Sequence, residues 1–177
     1  ALDAKSARHL ADQFEAQTVE KGYLGIVRGS IGAGVTEYPL SRPDASAQEA
    51  KSLYRGIAST EIPISVGRYP SARYSLTALA PITGRQHQLR RHLKALAHPL
   101  IGDTTHGDLR HNHALQSYMG LNRLMLHAAT VKIIHPVKET PLLLTAPPDK
   151  EWDHFCKQLD LPLLSEEQLL AIHTMLF

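Results

Sequence analysis

Ala7, Leu10, Ala11 and Phe14 recur at helical spacing with charged residues between them, which predicts an amphipathic helix over 5–17. Lys21 to Val27 alternates and stops at Gly29, the pattern of a strand and turn. Residues 41–51 mix Ser, Pro, Asp, Ala, Gln and Glu without a period, so 41–53 is expected to be a mobile or incomplete loop. Short strand-like runs fill 54–80, broken by Pro63, Gly67 and Pro70; the clearest is 72–80, where Tyr74, Leu76, Ala78 and Ala80 alternate with polar or small residues. A turn from Pro81 to Gly84 leads into a helix at 86–97, with Leu89, Leu93, Leu96 and Ala97 on one face and His87, Arg90, Arg91 and Lys94 largely on the other. A short helix at 111–120 follows, then strands at 124–134 and 140–146 around a turn at His135-Pro136. A helix near 149–159 comes next, and a last one opens on Ser165, within a C-terminal helical extension over 160–177. Strands joined mostly by short turns, with helices between, indicate an α+β fold: a mixed, largely antiparallel sheet with flanking helices.

The 177 residues suit one domain, or the C-terminal portion of one large domain cut short, and 43% apolar content supports a core built mainly from Leu, Ile, Val and Ala, since aromatics are 6%. No apolar run is long enough for a membrane span, and the chain opens Ala-Leu-Asp-Ala-Lys, unlike a signal peptide. Cys156 is the only cysteine, which excludes an intrachain disulfide and fits a reducing, cytoplasmic setting. A net charge of +2 says little about partners, but its distribution says more. Residues 85–94 hold Arg85, Arg90, Arg91, Lys94, His87 and His92 with no acid, a concentration that can meet phosphates.

Gly84 permits a tight entry to that helix, and Arg85 and Arg90, five apart, fall on different faces. One can contact phosphate while the other points into a site, since guanidinium is a permanent charge with a planar fork. A solvated basic helix is the plainer alternative. Eleven histidines invite a metal reading, with His106, His111 and His113 close in sequence. Zinc needs three or four converging ligands, however, and His87 and His92 face different ways along one helix. Asp103 and Asp108, in Gly-Asp turns, fit loop bracing or pairing with basic residues better than acid catalysis, and Trp152 and Phe155 read as core.

Gly84-Arg85-Gln86-His87-Gln88-Leu89-Arg90-Arg91-His92-Leu93, followed by His98-Pro99-Leu100-Ile101-Gly102-Asp103 and Leu126-His127-Ala128, resembles the RluA-type pseudouridine synthases. Gly67-Arg68-Tyr69-Pro70 and Thr105-His106-Gly107-Asp108-Leu109-Arg110 are similar to a branch of that family acting on tRNA. The resemblance runs from about Ala4 to Leu159. It implies an isomerase that turns a uridine of RNA into pseudouridine without metal or organic cofactor, as a monomer with no membrane partner. In that chemistry an aspartate attacks, the glycosidic bond breaks, the uracil turns and a carbon–carbon bond forms, after the base has left its stack. The resemblance implies that Tyr23, in Lys21-Gly22-Tyr23-Leu24, packs against the base, with a hydroxyl available for proton transfer; as a plain strand aromatic it would need no such role. It implies that Arg90 pairs with the catalytic aspartate, that Leu126 packs beneath the site, and that Arg85, His87, Gln88 and Arg91 contact substrate.

The family's nucleophile lies in a His-Arg-Leu-Asp motif followed by a Thr-Ser-Gly turn, and neither is present in residues 1–177. Leu2-Asp3 echoes the dipeptide only, and Asp3 aligns as a helix cap. The nucleophile is therefore expected in a preceding segment, and 41–53 is shorter than the matching connection in relatives. Three alternatives remain open at this point: an RNA-binding fragment without catalysis, rRNA in place of tRNA as the substrate, and, weakest, a zinc-dependent hydrolase.

Overall fold

The computed structural model describes residues 3–42 and 45–177. Among these residues, eight strands and five helices form in the order α1 (Ala4–Glu15), β1 (Glu20–Arg28), β2 (Ala33–Thr36), β3 (Leu40–Arg42), β4 (Ala45–Gln48), β5 (Ser52–Ile62), β6 (Ala72–Pro81), α2 (Gln88–Ala95), α3 (Leu109–Met119), β7 (Leu126–Ile134), β8 (Pro141–Thr145), α4 (Lys150–Gln158) and α5 (Glu166–Leu176). Six strands make one sheet in the order β2-β5-β6-β1-β7-β8, antiparallel at every pairing, and β3 and β4 pair separately. This is the α+β class with the antiparallel sheet that the alternation predicts.

The period of two along the central strands sorts side chains onto two faces. Leu24 and Ile26 of β1 with Tyr74 and Leu76 of β6 face one way, onto Leu115 and Met119 of α3, Trp152 and Phe155 of α4 and Leu169 of α5. Val27 and Leu79 face the other way, under Leu89 and Leu93 of α2, with Tyr23 and Leu126 at the margin of that cluster. The functional candidates thus lie on the α2 face of the sheet, and α3, α4 and α5 support the opposite face.

Capping follows the chemistry of the boundary residues. The Asp3 carboxylate accepts from the Ser6 backbone N–H at 2.8 Å, so Asp3 is the cap of α1. Ser165 and Gln168 form a reciprocal capping box at α5. Residues 160–177 do more than extend the chain, because α5 buries Leu169, His173 and Leu176. His173 places Nε2 3.0 Å from Glu20 and Nδ1 2.9 Å from the Thr130 hydroxyl, tying α5 to β1 and β7.

Two expectations are corrected. The 41–53 segment is not a plain loop: it holds part of the β3–β4 hairpin and the start of β5, with Pro43 and Asp44 outside the described residues. Strands of three or four residues are too short for a hydrophobic period to register, and Leu40 and Ala50 anchor this segment by burial. The run before Pro63 is one strand, β5, which ends at Ile62 as that break predicts. The basic helix is shorter than 86–97, since His87 sits in the left-handed region at φ 52° and Ala97 at φ 61°.

Candidate active site

Two devices bring distant residues to one cavity. The first is a bulge between β1 and β7, where Gly22 pairs with Thr130 but Tyr23 pairs with Ala128, leaving Ala129 as an extra residue. A bulge switches which face the following residues present. Tyr23 and Leu126 share the α2 face as a result, while Ala129 joins the opposite core. The second device is the entry to α2. The Thr83 hydroxyl donates to Gln88 Oε1 at 2.7 Å, and the Arg85 backbone N–H donates to the same oxygen at 3.0 Å. Gln88 Nε2 donates to Lys51 O at 2.8 Å and to the Ser52 hydroxyl at 3.0 Å. These bonds fix the turn that presents Arg85 and His87.

Tyr23, Arg85, His87, Gln88, Arg90 and Leu126 line one cavity of about 320 Å³. That volume lies at the small end of the range for ligand sites. Arg91 is not among its walls. Gln88 is 4% exposed and its amide is engaged within the protein, so its visible task is to hold the turn. Lys21, inside the motif that carries Tyr23, also lines the cavity, and burial lowers its pKa. His92 is buried: Nε2 lies 2.8 Å from Tyr38 O and Nδ1 2.9 Å from the Ser52 hydroxyl. Burial lowers its pKa further, so it braces β5 as a neutral ring and does not add to the basic face.

Arg90 is gripped from behind. Its Nε and Nη2 donate to Oδ2 and Oδ1 of Asp103, each at 2.7 Å, in a fork that uses one edge of the guanidinium. Asp103 Oδ1 also accepts from the backbone N–H groups of Thr105 and His106, at 2.9 and 2.8 Å. Asn112 of α3 closes the loop, accepting from Gly102 N through Oδ1 at 2.8 Å and donating to Asp103 O through Nδ2 at 2.9 Å. Asn112 escaped the sequence reading, because one asparagine in a short helix carries no pattern. Asp103 and Asp108 do brace basic residues, the latter accepting from Arg28 Nη1 at 2.6 Å.

The electrostatics follow. Burial alone would raise the Asp103 carboxyl, but Arg90 and the two backbone donors outweigh it and hold the carboxyl down to about 2. The Asp103 bond raises the Arg90 pKa, so its charge is fixed at every working pH. Burial raises the Tyr23 phenol, which therefore stays protonated near neutrality. His87 Nδ1 lies 3.2 Å from His106 Nε2 at the rim, while His111 turns away to the Tyr74 hydroxyl at 3.0 Å. Among the described residues no three His, Cys, Asp or Glu side chains converge as a metal set would.

A depressed carboxyl pKa contributes stability that is complete above its unfolded value and fades as pH falls through its folded value. For Asp103 that window runs from about pH 4 down to about 2. Urea unfolding across it should show roughly 2 kcal/mol of wild-type stability lost through this group, a loss missing from Asp103→Asn. Equal pH slopes for the two proteins would contradict the assignment.

The family described as RNA pseudouridylate synthase matches residues 1–95. Among relatives named tRNA pseudouridine synthase C, that of Pasteurella multocida is 42% identical over 98% of this chain and 74% of its own length. That of Haemophilus ducreyi is 45% identical over 89% of this chain and 70% of its own. That of Pectobacterium carotovorum is 46% identical over 86% of this chain, which spans 44% of that protein. The solved human RNA pseudouridylate synthase domain containing 1 superposes with a TM-score of 0.72 over 98% of this chain and 73% of its own, at 24% identity, a likeness of fold. No helix among the described residues is long and apolar enough to cross a membrane. A family match over more than half the chain, and relatives above 40% identity over most of it, establish that this chain belongs to the RNA pseudouridylate synthase family.

Proposed function

We propose that the cavity between Tyr23, Arg90 and Leu126 receives a uridine flipped out of tRNA and isomerises it to pseudouridine in the cytoplasm, without a cofactor. The observation that carries this reading is convergence. Three elements distant in sequence bring a half-buried aromatic ring, a fixed cation and an apolar floor to one pocket. The relatives' names support tRNA as the substrate class.

In the reaction the N1–C1′ bond of the uridine breaks, the uracil rotates, and a C5–C1′ bond forms, with the C5 hydrogen leaving as a proton. N1 gains a proton in exchange, and Tyr23 offers a ring for stacking and a protonated hydroxyl that can donate to that nitrogen. Arg90 supplies the charge that keeps an attacking carboxylate ionised and oriented. Asp103 does not suit the attack, since its side chain is 1% exposed and both oxygens accept hydrogen bonds. Its role is to position Arg90. The attack is assigned to the aspartate of the family's His-Arg-Leu-Asp motif, which is not among residues 1–177. Arg85 and His87 at the rim are placed for phosphates next to the flipped nucleotide.

Nucleoside analysis of unmodified tRNA and rRNA transcripts, after incubation with the full-length protein, tests the substrate class. Pseudouridine should appear at one position of a tRNA and not in rRNA; the reverse would overturn tRNA specificity. Tyr23→Phe should leave KM within about twofold and lower kcat about a hundredfold, the scale of a lost proton-transfer group. An unchanged kcat would reduce Tyr23 to a stacking residue.

A further inference from the structure

A cavity of about 750 Å³ is lined by residues other than those of the candidate active site. It lies between the segment Val66–Arg73 and the first turn of α3, and no role assigned so far uses it. Val66 and Tyr69 form an isolated antiparallel bridge, with Val66 N donating to Tyr69 O at 3.0 Å and Tyr69 N donating to Val66 O at 3.3 Å. Gly67, at φ 62°, lets the chain close this four-residue turn. The turn therefore presents its side chains from a fixed backbone. Tyr69 is 58% exposed, with the Arg68 guanidinium 5.1 Å from its ring centroid and Arg68 Nη2 donating to its hydroxyl at 2.9 Å. A large aromatic held out in solvent beside a planar cation is a stacking platform for a nucleobase.

The charge in this cavity is lopsided. Arg28, Arg68, Arg73 and Arg110 line it. Asp108 neutralises Arg28 and Glu61 neutralises Arg73. Among the described residues neither Arg68 nor Arg110 has a carboxylate within 4.0 Å, and burial lowers the pKa of His111, which keeps that ring neutral. Two uncompensated guanidinium groups beside an exposed ring suit a phosphodiester with an unstacked base.

The cavity also adjoins a depression that reaches α2. That depression, lined by Arg28, Lys94, Asp108 and Arg110, shares three of these residues with the cavity. Lys94 lies one turn beyond Arg90 on α2, and His106, against His87 at the active-site rim, is within reach of the Lys94 and Arg90 charges. Lys94 and Arg110 thus lie between the helix that carries Arg90 and the Arg68–Tyr69 turn.

We infer that this cleft is a second RNA-contact site, in which an unpaired nucleotide away from the target uridine stacks on Tyr69 while Arg68 and Arg110 hold its phosphates. The inference rests on the RNA-modifying reading for the identity of its ligand. The test uses the full-length protein and an unmodified tRNA transcript. Arg68→Gln/Arg110→Gln should raise KM about tenfold or more with kcat within twofold, because the altered groups lie outside the catalytic cavity. It should also reduce the slope of log binding constant against log salt by about 1.4 to 1.8, the value for two phosphate contacts. Tyr69→Ala should weaken RNA binding about tenfold and Tyr69→Phe should restore it, since the ring is what stacks. Unchanged KM and salt slope in the arginine pair would overturn the site, and Tyr69→Phe binding as poorly as Tyr69→Ala would overturn the stacking role. If the parent protein binds tRNA but forms no pseudouridine, and the arginine pair still weakens binding, the catalytic reading falls and this site stands. If the parent turns over normally and the variants match it in both measurements, this site alone falls.

Discussion

Arg90→Ala in the full-length protein is expected to lower pseudouridine formation by roughly a thousandfold, the scale seen when a preorganised charge is taken from a reacting site. Nε and Nη2 are committed to Asp103, so Arg90 is held from behind, and Nη1 takes no part in that pair. A lysine offers a single ammonium in place of the fork, so Arg90→Lys should recover little. The same pair complicates the experiment. Removing Arg90 leaves the Asp103 carboxylate buried without its cation, a change that costs about 3 to 5 kcal/mol. Lost activity in the single variant thus mixes chemistry with damaged packing. Arg90→Ala/Asp103→Asn removes the stranded charge and should recover part of the stability measured by urea unfolding while turnover stays lost. Turnover that returned with stability would make Arg90 a structural residue only.

Gly102→Ala is expected to destabilise the protein by about 4 kcal/mol and to cut turnover as well. Two costs add at this position. Its φ is 73°, where a side chain is strained by about 1 to 2 kcal/mol. A Cβ there would also sit 1.7 Å from the Arg123 carbonyl oxygen and 2.5 Å from its carbon, so backbone has to move. Gly102 precedes the Asp103 that grips Arg90, and Arg123 leads into Met125, whose N–H donates to Ile101 O at 3.0 Å ahead of Leu126. Moving either strand of this crossing shifts two walls of the cavity together. Gly120 provides the control, because it has nearly the same φ, 74°, but open space around its missing side chain. Gly120→Ala should cost only about 1 to 2 kcal/mol, from strain alone. Equal losses at the two glycines, measured by thermal or urea unfolding, would show that the Arg123 contact does not matter.

What the sequence made legible follows from the range of each signal. Periodicity acts within one element, so α1, β1, β6, β7, β8, α4 and α5 could be read directly, whereas the cap at Asp3 was accessible through the resemblance. Strands β2, β3 and β4 hold three or four residues each and are fixed by neighbours rather than by pattern. Within the site, Tyr23, Arg85, His87, Arg90 and Leu126 were accessible through motif resemblance, and the structure gathers them around one cavity. Their supports were less accessible. Gln88 and His92 share a helix with the basic residues and look equally solvated in sequence, yet both are buried under β5. A buried polar side chain is recognised by its partners, and Ser52 and Tyr38 lie tens of residues away. The bulge at Ala129, which aligns Leu126 with Tyr23, changes the phase of a strand without changing its composition.

Release of tritium from tRNA transcribed with uridine labelled at C5 measures the proposed chemistry most directly. The C5 hydrogen leaves only when the carbon–carbon bond of pseudouridine forms. The account predicts that the full-length protein releases about one C5 tritium per tRNA, at a rate that falls roughly a thousandfold in Arg90→Ala/Asp103→Asn. Binding of the transcript without tritium release, or release at the parent rate from that variant, would contradict it.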